Sequence, residues 1–227
     1  MKLSVVMPIF NEEGTLEEIV RRVLATEYEI ELILVDDGST DGSREIMNRL
    51  EAKHDGIRCF YHERNQGKGA ALSTGFKEVH GDVVVIQDAD LEYDPQDYTI
   101  LLHPIEEGHA DVVYGSRFLG GRYVRVHLFW HYVGNRMLTL FSNMLTNLNL
   151  SDMETCYKAF RIDVARKLDI QSRSFAVEPE MTAKVARMGV RVYEVPIRYA
   201  GRDYSEGKKI GFKDGVLAVL AIIRWRF

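Results

Sequence analysis

The chain of 227 residues carries 29 basic and 34 acidic side chains, a formal net charge of −5, and 46% of its residues are hydrophobic. This composition argues against a disordered chain, and the acidic balance argues against nucleic acid as a partner. Two cysteines exclude a disulfide framework and a four-cysteine zinc site. The longest late apolar run, Val216 to Ile223, is far shorter than the roughly 20 residues of a membrane-spanning helix. We therefore expect one cytoplasmic domain, soluble or peripheral on a membrane.

Short apolar runs alternate with helical patterns through the first half of the chain. Strands are predicted at residues 3–9, 30–38, 57–62, 83–87 and 111–115, and helices at residues 14–26, from Asp41 as the cap through Leu50, from Gly69, and from Pro95 to Glu107. Strands that alternate with helices of this length predict right-handed βαβ units. Continuous runs of valine, isoleucine and leucine indicate strands buried on both faces. The pattern predicts a doubly wound α/β fold with a mostly parallel sheet flanked by helices.

The second half, from residue 117 onward, is less regular. A loop over residues 116–135 leads into a predicted helix at about 132–148, and CYKAFR (156–161) favours a short strand. A helix is predicted within residues 175–189, an edge strand with Pro196 within 190–200, and a further helix after the glycine-rich segment 201–211. The boundary near residue 116 divides roles within one domain.

Three polar segments directly follow predicted strands: PIFNE (8–12), DDGS (36–39) and DADLE (88–92). The carboxyl ends of parallel strands meet at one edge of the sheet, where ligands bind in open α/β folds. Asp88 and Asp90 repel each other unless a cation lies between them, and carboxylate oxygens suit Mg²⁺ or Mn²⁺. Glu92 can add a further oxygen. The alternative is a turn or helix-cap cluster before Pro95.

Two other segments are candidates for ligand binding. Asp37, and less clearly Asp36, suits hydrogen bonding to a base or ribose, although this segment also resembles a capped turn. Lys68 precedes a predicted helix N-terminus, where an anion can bind. The alternative for Lys68 is a solvated side chain at a glycine-rich helix entry. A GxGxxG motif is absent, which disfavours a Rossmann dinucleotide site.

These segments occur in an order and spacing that resembles a known family. PIFNEE, VDDGSTDGS, NQGKGAAL, QDADLEYDP and YGSRF resemble the family 2 glycosyltransferases, which have the GT-A fold. DMETCYKAFR, FAVEPE and SEGKKIGFKDG are similar to the dolichol-phosphate mannose synthase branch, which includes bacterial polyprenyl-phosphate hexose synthases. The resemblance covers nearly the whole chain. It implies that residues 1–116 bind a nucleotide sugar and that residues 117–227 form the acceptor half and a C-terminal helix.

The resemblance also implies roles for individual residues. Those expected to bind the nucleotide sugar are Pro8, Phe10 and Glu12 at the base, Val35 and Asp37 at the base and ribose, Lys68, the metal and diphosphate segment Asp88, Ala89 and Asp90, the phosphate-contacting Arg117, and the basic pair Arg202 and Lys208. Asp90, Arg117, Arg202 and Lys208 are the expected catalytic residues, and Asp88, Asp90 and Glu92 the expected metal ligands. Glu92 departs from the glutamine common in the synthases. The expected acceptor residues are Arg122, Arg125, His131 and Glu178, of which the first three, in the loop 118–135, do not register with the family's acceptor-phosphate cluster.

The implied reaction is a metal-dependent, inverting transfer of mannose or glucose from GDP-mannose or UDP-glucose to dolichyl or undecaprenyl phosphate. An acceptor phosphate is already anionic and needs positioning rather than a base. Transfer to a sugar hydroxyl, with Glu178 or Asp152 as the base, is the alternative. A nucleotidyltransferase is a second alternative, from another class of enzyme, although the N-terminal phosphate loop typical of that class is missing.

The C-terminal segment predicts weak membrane binding. An apolar stripe runs from Phe212 to Phe227, with Trp225 between two arginines, and the aromatic stretch near Trp130 predicts the same. The alternative is a helix packed on the domain, which would show the same stripe. A membrane-anchored partner is a further possibility.

Overall fold

The computed structural model describes residues 1–120, 128–174, 176–201 and 212–226, and for residues 212–214 the backbone only. The strands are β1 (Lys2–Ile9), β2 (Glu29–Asp36), β3 (Ile57–Tyr61), β4 (Val83–Ile86), β5 (Val112–Ser116), β6 (Lys158–Arg161) and β7 (Val192–Pro196). The helices are α1 (Leu16–Leu24), α2 (Ser43–Lys53), α3 (Lys68–Lys77), α4 (Tyr98–Glu106), α5 (Phe129–Thr146), α6 (Ile162–Ala165), α7 (Val177–Met188) and α8 (Phe212–Trp225). A 3₁₀ turn, Pro95–Asp97, precedes α4.

The seven strands form one sheet in the order β3-β2-β1-β4-β6-β5-β7. All neighbouring pairs are parallel except the two that involve β6, which runs antiparallel to β4 and to β5. The predicted parallel α/β fold is therefore confirmed, and β7 is the edge strand that its proline indicated. The reversed direction of β6 was not predicted, because alternation of strands and helices does not specify strand direction after a long, irregular connection.

The central strands are buried on both faces, as their unbroken apolar sequences indicated. Helix α3 packs closely on this sheet because Gly75 has no side chain. A Cβ atom at Gly75 would lie 2.4 Å from Cγ1 of Val6. No described helix is long and apolar enough to cross a membrane.

Strand order places the ligand-binding edge between β1 and β4. From β1 the chain adds β2 and β3 on one side, then returns to place β4 on the other side. Such a reversal opens a crevice beyond the carboxyl ends of the two strands. Because β6 is antiparallel, its first residue, Lys158, lies at this same edge.

Helix boundaries differ from the predicted ones by a few residues. Helix α2 begins at Ser43, and Gly42 is its N-cap. Asp41, the predicted cap, lies one residue earlier, but its carboxylate still accepts a hydrogen bond from the Ser43 N–H at 3.0 Å. Helix α5 begins at Phe129, inside the predicted loop, and ends where Asn147 adopts a left-handed conformation with φ 57°.

Candidate active site

The loop after β1 is joined to the loop after β2. Asn11 has a positive φ of 54°, and its side-chain oxygen accepts a hydrogen bond from the Thr40 N–H at 2.8 Å. The Asn11 N–H donates to the Ser39 hydroxyl at 3.0 Å. These bonds hold Phe10 at the edge with its side chain 36% exposed.

The loop after β1 is also joined to the loop after β4. The Thr15 hydroxyl lies 2.9 Å from the Ala89 carbonyl oxygen and 3.0 Å from Oε2 of Glu12. Pro8 pairs with Val35 across β1 and β2, and Val35 is fully buried. The structure thus brings the predicted base, ribose and diphosphate segments together at one edge.

Asp36 closes its own loop. Its buried carboxylate accepts hydrogen bonds from the backbone N–H groups of Gly38 and Ser39, both at 3.1 Å. It also accepts from Nε of Arg44 at 2.6 Å. Gly38 has a φ of +76°, and a Cβ there would lie 2.5 Å from the backbone of Arg64. Asp36 therefore has a structural role at the end of β2.

Asp37 holds a second loop, the one that leads into α3. Its carboxylate accepts from Nδ1 of His62 at 2.7 Å and from the N–H groups of Gln66 at 3.0 Å and Gly67 at 2.7 Å. Both oxygens are engaged and the side chain is nearly buried. The structure gives Asp37 a scaffolding role, and its contact with a base or ribose stays a prediction.

Lys68 is paired with two carboxylates and is not a solvated side chain. Its Nζ atom lies 2.8 Å from Oδ1 of Asp88 and 3.4 Å from Oε1 of Glu178. Burial opposes the charge of Lys68, but attraction to Asp88 outweighs it and raises the pKa of the ammonium well above its usual value. Burial likewise opposes ionisation of Asp88, yet Lys68 holds the pKa of that carboxyl below its usual value. Both groups are charged.

The start of α3 is covered by the segment around Arg173, which uses a first-turn N–H group; anion binding there stays a prediction. The Gly69 N–H donates to the Arg173 carbonyl at 2.9 Å. A Cβ on Gly67 would lie 2.2 Å from the same carbonyl oxygen, so only glycine allows this approach. Glu180 of α7 fixes the covering segment by accepting from the Ser172 N–H at 2.6 Å.

Asp90 and Glu92 have different surroundings. Asp90 is nearly buried, and its Oδ1 accepts from the Glu92 N–H at 3.1 Å. The Glu92 carboxylate accepts from the Tyr199 hydroxyl at 2.7 Å, and the Glu92 carbonyl accepts from the Ala200 N–H at 2.9 Å. The segment that precedes Arg202 is therefore anchored beside Asp90.

Arg117 follows β5 and is clamped by Asp152. Its Nε and one Nη each lie 2.7 Å from an Asp152 oxygen, and its backbone N–H donates to the same carboxylate at 3.1 Å. Asp152 is fully buried, and Glu194 of β7 accepts from its N–H at 3.1 Å. Burial opposes the charge on Arg117, but Asp152 raises the pKa of the guanidinium well above its usual value. Asp152 thus serves as a counter-ion that positions Arg117.

Glu178 accepts a hydrogen bond from Lys158 at Oε2, while its Oε1 forms the ion pair with Lys68. Both Glu178 and Lys158 are buried. Lys158 was not predicted as a site residue, although a lysine inside the apolar run CYKAFR was a usable signal. Glu154 was not predicted either, and its pKa is raised to about 7 by burial and by the charge of Glu178.

Other predicted residues are placed elsewhere or lie outside the described residues. His131 is half-buried in the first turn of α5. The predicted residues that fall outside the described ranges are Arg122, Arg125, Arg202 and Lys208.

Asp88 and Asp90 supply hard oxygen donors of the type that Mg²⁺ and Mn²⁺ prefer. Within the described ranges, no three acidic, histidine or cysteine side chains are grouped closely enough to hold a metal ion. The Glu92 carboxylate is engaged with Tyr199. The donor set therefore fits a magnesium-type ion that takes one or two carboxylates from the protein and its other ligands from phosphates and water.

The open sheet, the switch point and the joined loops define an α/β enzyme that binds its ligand beyond the carboxyl ends of the strands. The chain belongs to glycosyl transferase family 2, whose family model matches residues 4–169. It is a glycosyltransferase, as the sequence motifs implied.

The chain is similar to named relatives. It is 30% identical over 236 aligned positions to the undecaprenyl-phosphate mannosyltransferase of Micrococcus luteus, which covers 99% of this chain and 94% of the relative. It is 29% identical to the polyprenol monophosphomannose synthase of Mycolicibacterium smegmatis, over 91% of this chain and 80% of the relative.

Solved structures share the fold. The glucosyl-3-phosphoglycerate synthase from Mycobacterium tuberculosis in complex with UDP superposes with a TM-score of 0.73 at 19% identity, covering 99% of this chain and 80% of that one. Its complex with Mn²⁺, UDP and glucosyl-3-phosphoglycerate gives 0.71 at 21% identity, covering 99% and 79%. These similarities confirm the predicted GT-A fold.

Proposed function

We propose that the protein transfers a hexose from a nucleoside diphosphate sugar to a polyprenyl phosphate. The pairing of both predicted bases with cations carries this proposal. Asp152 is clamped to Arg117, and Glu178 is bonded to Lys158 and Lys68. Both carboxylates are thus already engaged by cations, whereas a phosphate acceptor needs no base. The similarity to relatives named for polyprenyl phosphate substrates supports the same acceptor.

The donor would bind across the joined loops after β1, β2 and β4. Phe10 is an exposed aromatic ring beside Glu12 and suits stacking on a base. The hydrogen bonds between these loops order them before the ligand arrives, which lowers the entropic cost of binding. GDP-mannose and UDP-glucose are the donors we propose, with the sugar placed between the diphosphate and the acceptor.

Asp88 and Asp90 would hold a Mg²⁺ or Mn²⁺ ion, whose chemistry is to offset the negative charge that develops on the departing diphosphate. Lys68 pairs with Asp88 on one side and Glu178 on the other, so it offsets the repulsion between these acids and holds both in place. The basic residues Arg202 and Lys208, which follow the anchored segment at Ala200, are proposed to bind the diphosphate.

Arg117 would position the acceptor phosphate. Asp152 engages Nε and one Nη of the guanidinium, and we propose that the other Nη donates to a phosphate oxygen. The clamp fixes the plane of the guanidinium and so its direction of approach. Arg122, Arg125 and His131 remain candidates for the same phosphate.

A membrane surface is the proposed location of the reaction, at the cytoplasmic face. Helices α5 and α8 pack against each other and carry large exposed apolar side chains, among them Trp130 at 78% and Leu220 at 57% exposure. The others are Phe129, Met137, Leu140, Met144, Val216, Leu217 and Ile223. Large exposed apolar side chains on two neighbouring helices are typical of an interaction site. Helix α8 packs through Ala218, Ala221 and Ile222 instead, so the predicted stripe lies on its exposed side.

Trp225 contributes less to this surface than the sequence suggested. It is half-buried, with the Lys184 ammonium 4.6 Å from the centre of its ring. Phe227 lies outside the described residues, and only the backbone of Phe212 is described. A membrane-anchored partner protein could cover the same surface, and the vesicle experiment below separates the two possibilities.

The acceptor is tested by a transfer assay. Purified protein is incubated with GDP-mannose or UDP-glucose, Mg²⁺ or Mn²⁺, and undecaprenyl phosphate in detergent, and lipid-linked sugar is measured. A panel of water-soluble oligosaccharides replaces the lipid in the control. We expect product only with the lipid phosphate. Transfer to a soluble sugar, without transfer to the lipid, would overturn the proposal and favour a hydroxyl acceptor.

The surface is tested by flotation with vesicles that contain anionic lipid. Leu220→Glu should weaken association severalfold, because it places a charge in the proposed contact. Ile100→Glu is the matched control, since Ile100 is similarly exposed on α4, away from α5 and α8. No association of the active wild-type protein, even at low salt, would favour a protein partner.

A further inference from the structure

Glu154 differs from the three nearby acids that are paired with cations. Its Oε1 atom is buried and has no hydrogen-bond partner among the residues that the structure describes. The cation-paired acids form the pairs Asp88–Lys68, Asp152–Arg117 and Glu178–Lys158. Oε1 of Glu178 also lacks a hydrogen bond, but it lies 3.4 Å from the Lys68 ammonium. Within the described ranges, Glu154 has no such counter-ion.

The charged groups around Glu154 come from several elements. Glu178 of α7 and Asp152 of its own segment repel a negative charge on Glu154, whereas Lys158 of β6 and Arg117 after β5 attract it. Lys158 and Arg117 are already paired with Glu178 and Asp152, so their attraction is largely offset. Burial adds to the repulsion, and the pKa of Glu154 rises to about 7.

Glu154 lies in the segment that holds Arg117, and the charge of Arg117 acts on its carboxyl group. It follows Asp152, the clamp of Arg117, by two residues, and it precedes Thr155, whose hydroxyl donates to the Gly115 carbonyl at 2.5 Å. These bonds tie its segment to the end of β5, which Arg117 follows. The residue as a whole is half-buried.

We propose that Glu154 keeps its proton and donates a hydrogen bond to a phosphate oxygen bound at Arg117. This inference rests on the proposed function, which places a phosphate at Arg117. An ionised carboxylate would repel that phosphate, whereas a carboxylic acid supplies one O–H donor. The proton stays on Glu154, and no bond is formed or broken. The phosphate belongs either to the acceptor or to the diphosphate of the donor, and both present the same oxygens.

Phosphate binding should therefore be linked to the protonation of Glu154. If only the protonated form binds, the dissociation constant should rise by up to about 30-fold between about pH 6 and about pH 8.5. Glu154→Gln retains an N–H donor and cannot ionise, so the affinity of this variant for the phosphate ligand should not change between these pH values. Glu107→Gln, an exposed site at the end of α4, is the control and should follow the wild type.

The experiment measures binding by calorimetry in two arms. The donor arm uses UDP-glucose and GDP-mannose, whose diphosphate does not titrate in this range, and the acceptor arm uses farnesyl phosphate in detergent. Titration of farnesyl phosphate itself is common to all variants and cancels in the comparison. If the pH dependence of binding is lost in Glu154→Gln in only one arm, that arm identifies the phosphate as that of the donor or that of the acceptor. Infrared difference spectra of the wild type, recorded on ligand binding at neutral pH, should show a protonated carboxyl band that shifts.

Three results would overturn the inference. One is a flat pH dependence of wild-type binding in both arms, and another is an equal pH dependence in Glu154→Gln. The third is turnover that rises through pH 7 in the wild type only, with affinity unchanged, because Glu154 would then act as a base towards a hydroxyl. The infrared band decides the matter should the variant fail to fold. Linkage to donor binding without any transfer to lipid would leave the inference standing and reject the proposed acceptor.

Discussion

The loops after β2 and after β4 look alike in sequence and differ in the folded protein. Each places two acids at the tip of a buried strand, Asp36 and Asp37 in one case, Asp88 and Asp90 in the other. The carboxylates of the β2 loop are engaged by their own backbone and by Arg44 and His62. In the β4 loop, Asp88 faces a lysine from another element.

This difference indicates that the hydrogen-bond and ion-pair partners of an acidic side chain determine whether it can bind a ligand. Backbone N–H groups cannot leave Asp37 without opening the loop that they belong to. The Lys68 ammonium is at the end of a flexible chain and can exchange Asp88 for another anion at little cost to the backbone. The β2 acids therefore have a scaffolding role, to which the predicted contact of Asp37 with a base or ribose would be added, and we propose a ligand-binding role for the β4 acids.

The largest effect is expected at Asp90. Asp90→Asn should reduce transfer by on the order of 10²-fold or more, because it removes an anionic ligand from an ion that stabilises the leaving group. The amide oxygen can still accept from the Glu92 N–H, so the fold should persist by circular dichroism. Asp163→Asn, on the exposed helix α6, is the control. Undiminished turnover of Asp90→Asn, or full wild-type activity in a chelator, would contradict the metal assignment.

The next effect concerns Lys68. Lys68→Met leaves Asp88 and Glu178 without their shared cation and should lower the free energy of unfolding by about 3 kcal/mol, as expected when a buried pair loses one partner. Saturating Mn²⁺ should raise the melting temperature of this variant more than that of the wild type, because the ion replaces the missing charge. Lys77→Met, on the exposed end of α3, is the matched control. An equal metal response in Lys68→Met and wild type would count against Asp88 as a ligand.

A smaller effect is expected at the β2 loop. Asp36→Asn should cost about 2 kcal/mol of stability, because it weakens the bonds to two backbone N–H groups and removes the charge opposite Arg44. For a domain of this size the melting temperature should fall by about 5 °C. The turnover of the folded fraction should stay near that of the wild type, with Asp55→Asn as an exposed control. Strong loss of turnover without loss of stability would reverse the contrast between the two loops.

The smallest effect is expected from Gly38→Ala. The new Cβ would press on the backbone of Arg64, and alanine resists the positive φ of this position. We expect a loss of about 1 to 2 kcal/mol in denaturant unfolding. Gly14→Ala meets no atom within 4 Å and should be nearly neutral. If both variants unfold at the same denaturant concentration, the β2 loop is less tightly closed than its contacts indicate.

The fold was predictable to a large extent because buried parallel strands have an unbroken apolar sequence. The runs at residues 3–9, 30–38 and 83–87 indicated three central strands, and the polar residues after them indicated the ligand-binding edge. The antiparallel β6 was not predictable in the same way. Local pattern records how a strand is buried, and it does not record the direction in which the chain enters the sheet.

By itself the sequence determined the α/β architecture, the family and the group of residues that meet at the edge. The motifs identify all three because the apolar pattern of each strand and the spacing between motifs can be read directly along the chain. Only the tertiary structure decided how the charges pair: Lys68 with Asp88, Lys158 with Glu178, and Glu154 with no cation among the residues that the structure describes. Coulomb attraction depends on the distance between two charges and on their burial. Residues 20 positions apart or more along the chain come close together and become buried only when the sheet and α7 are assembled.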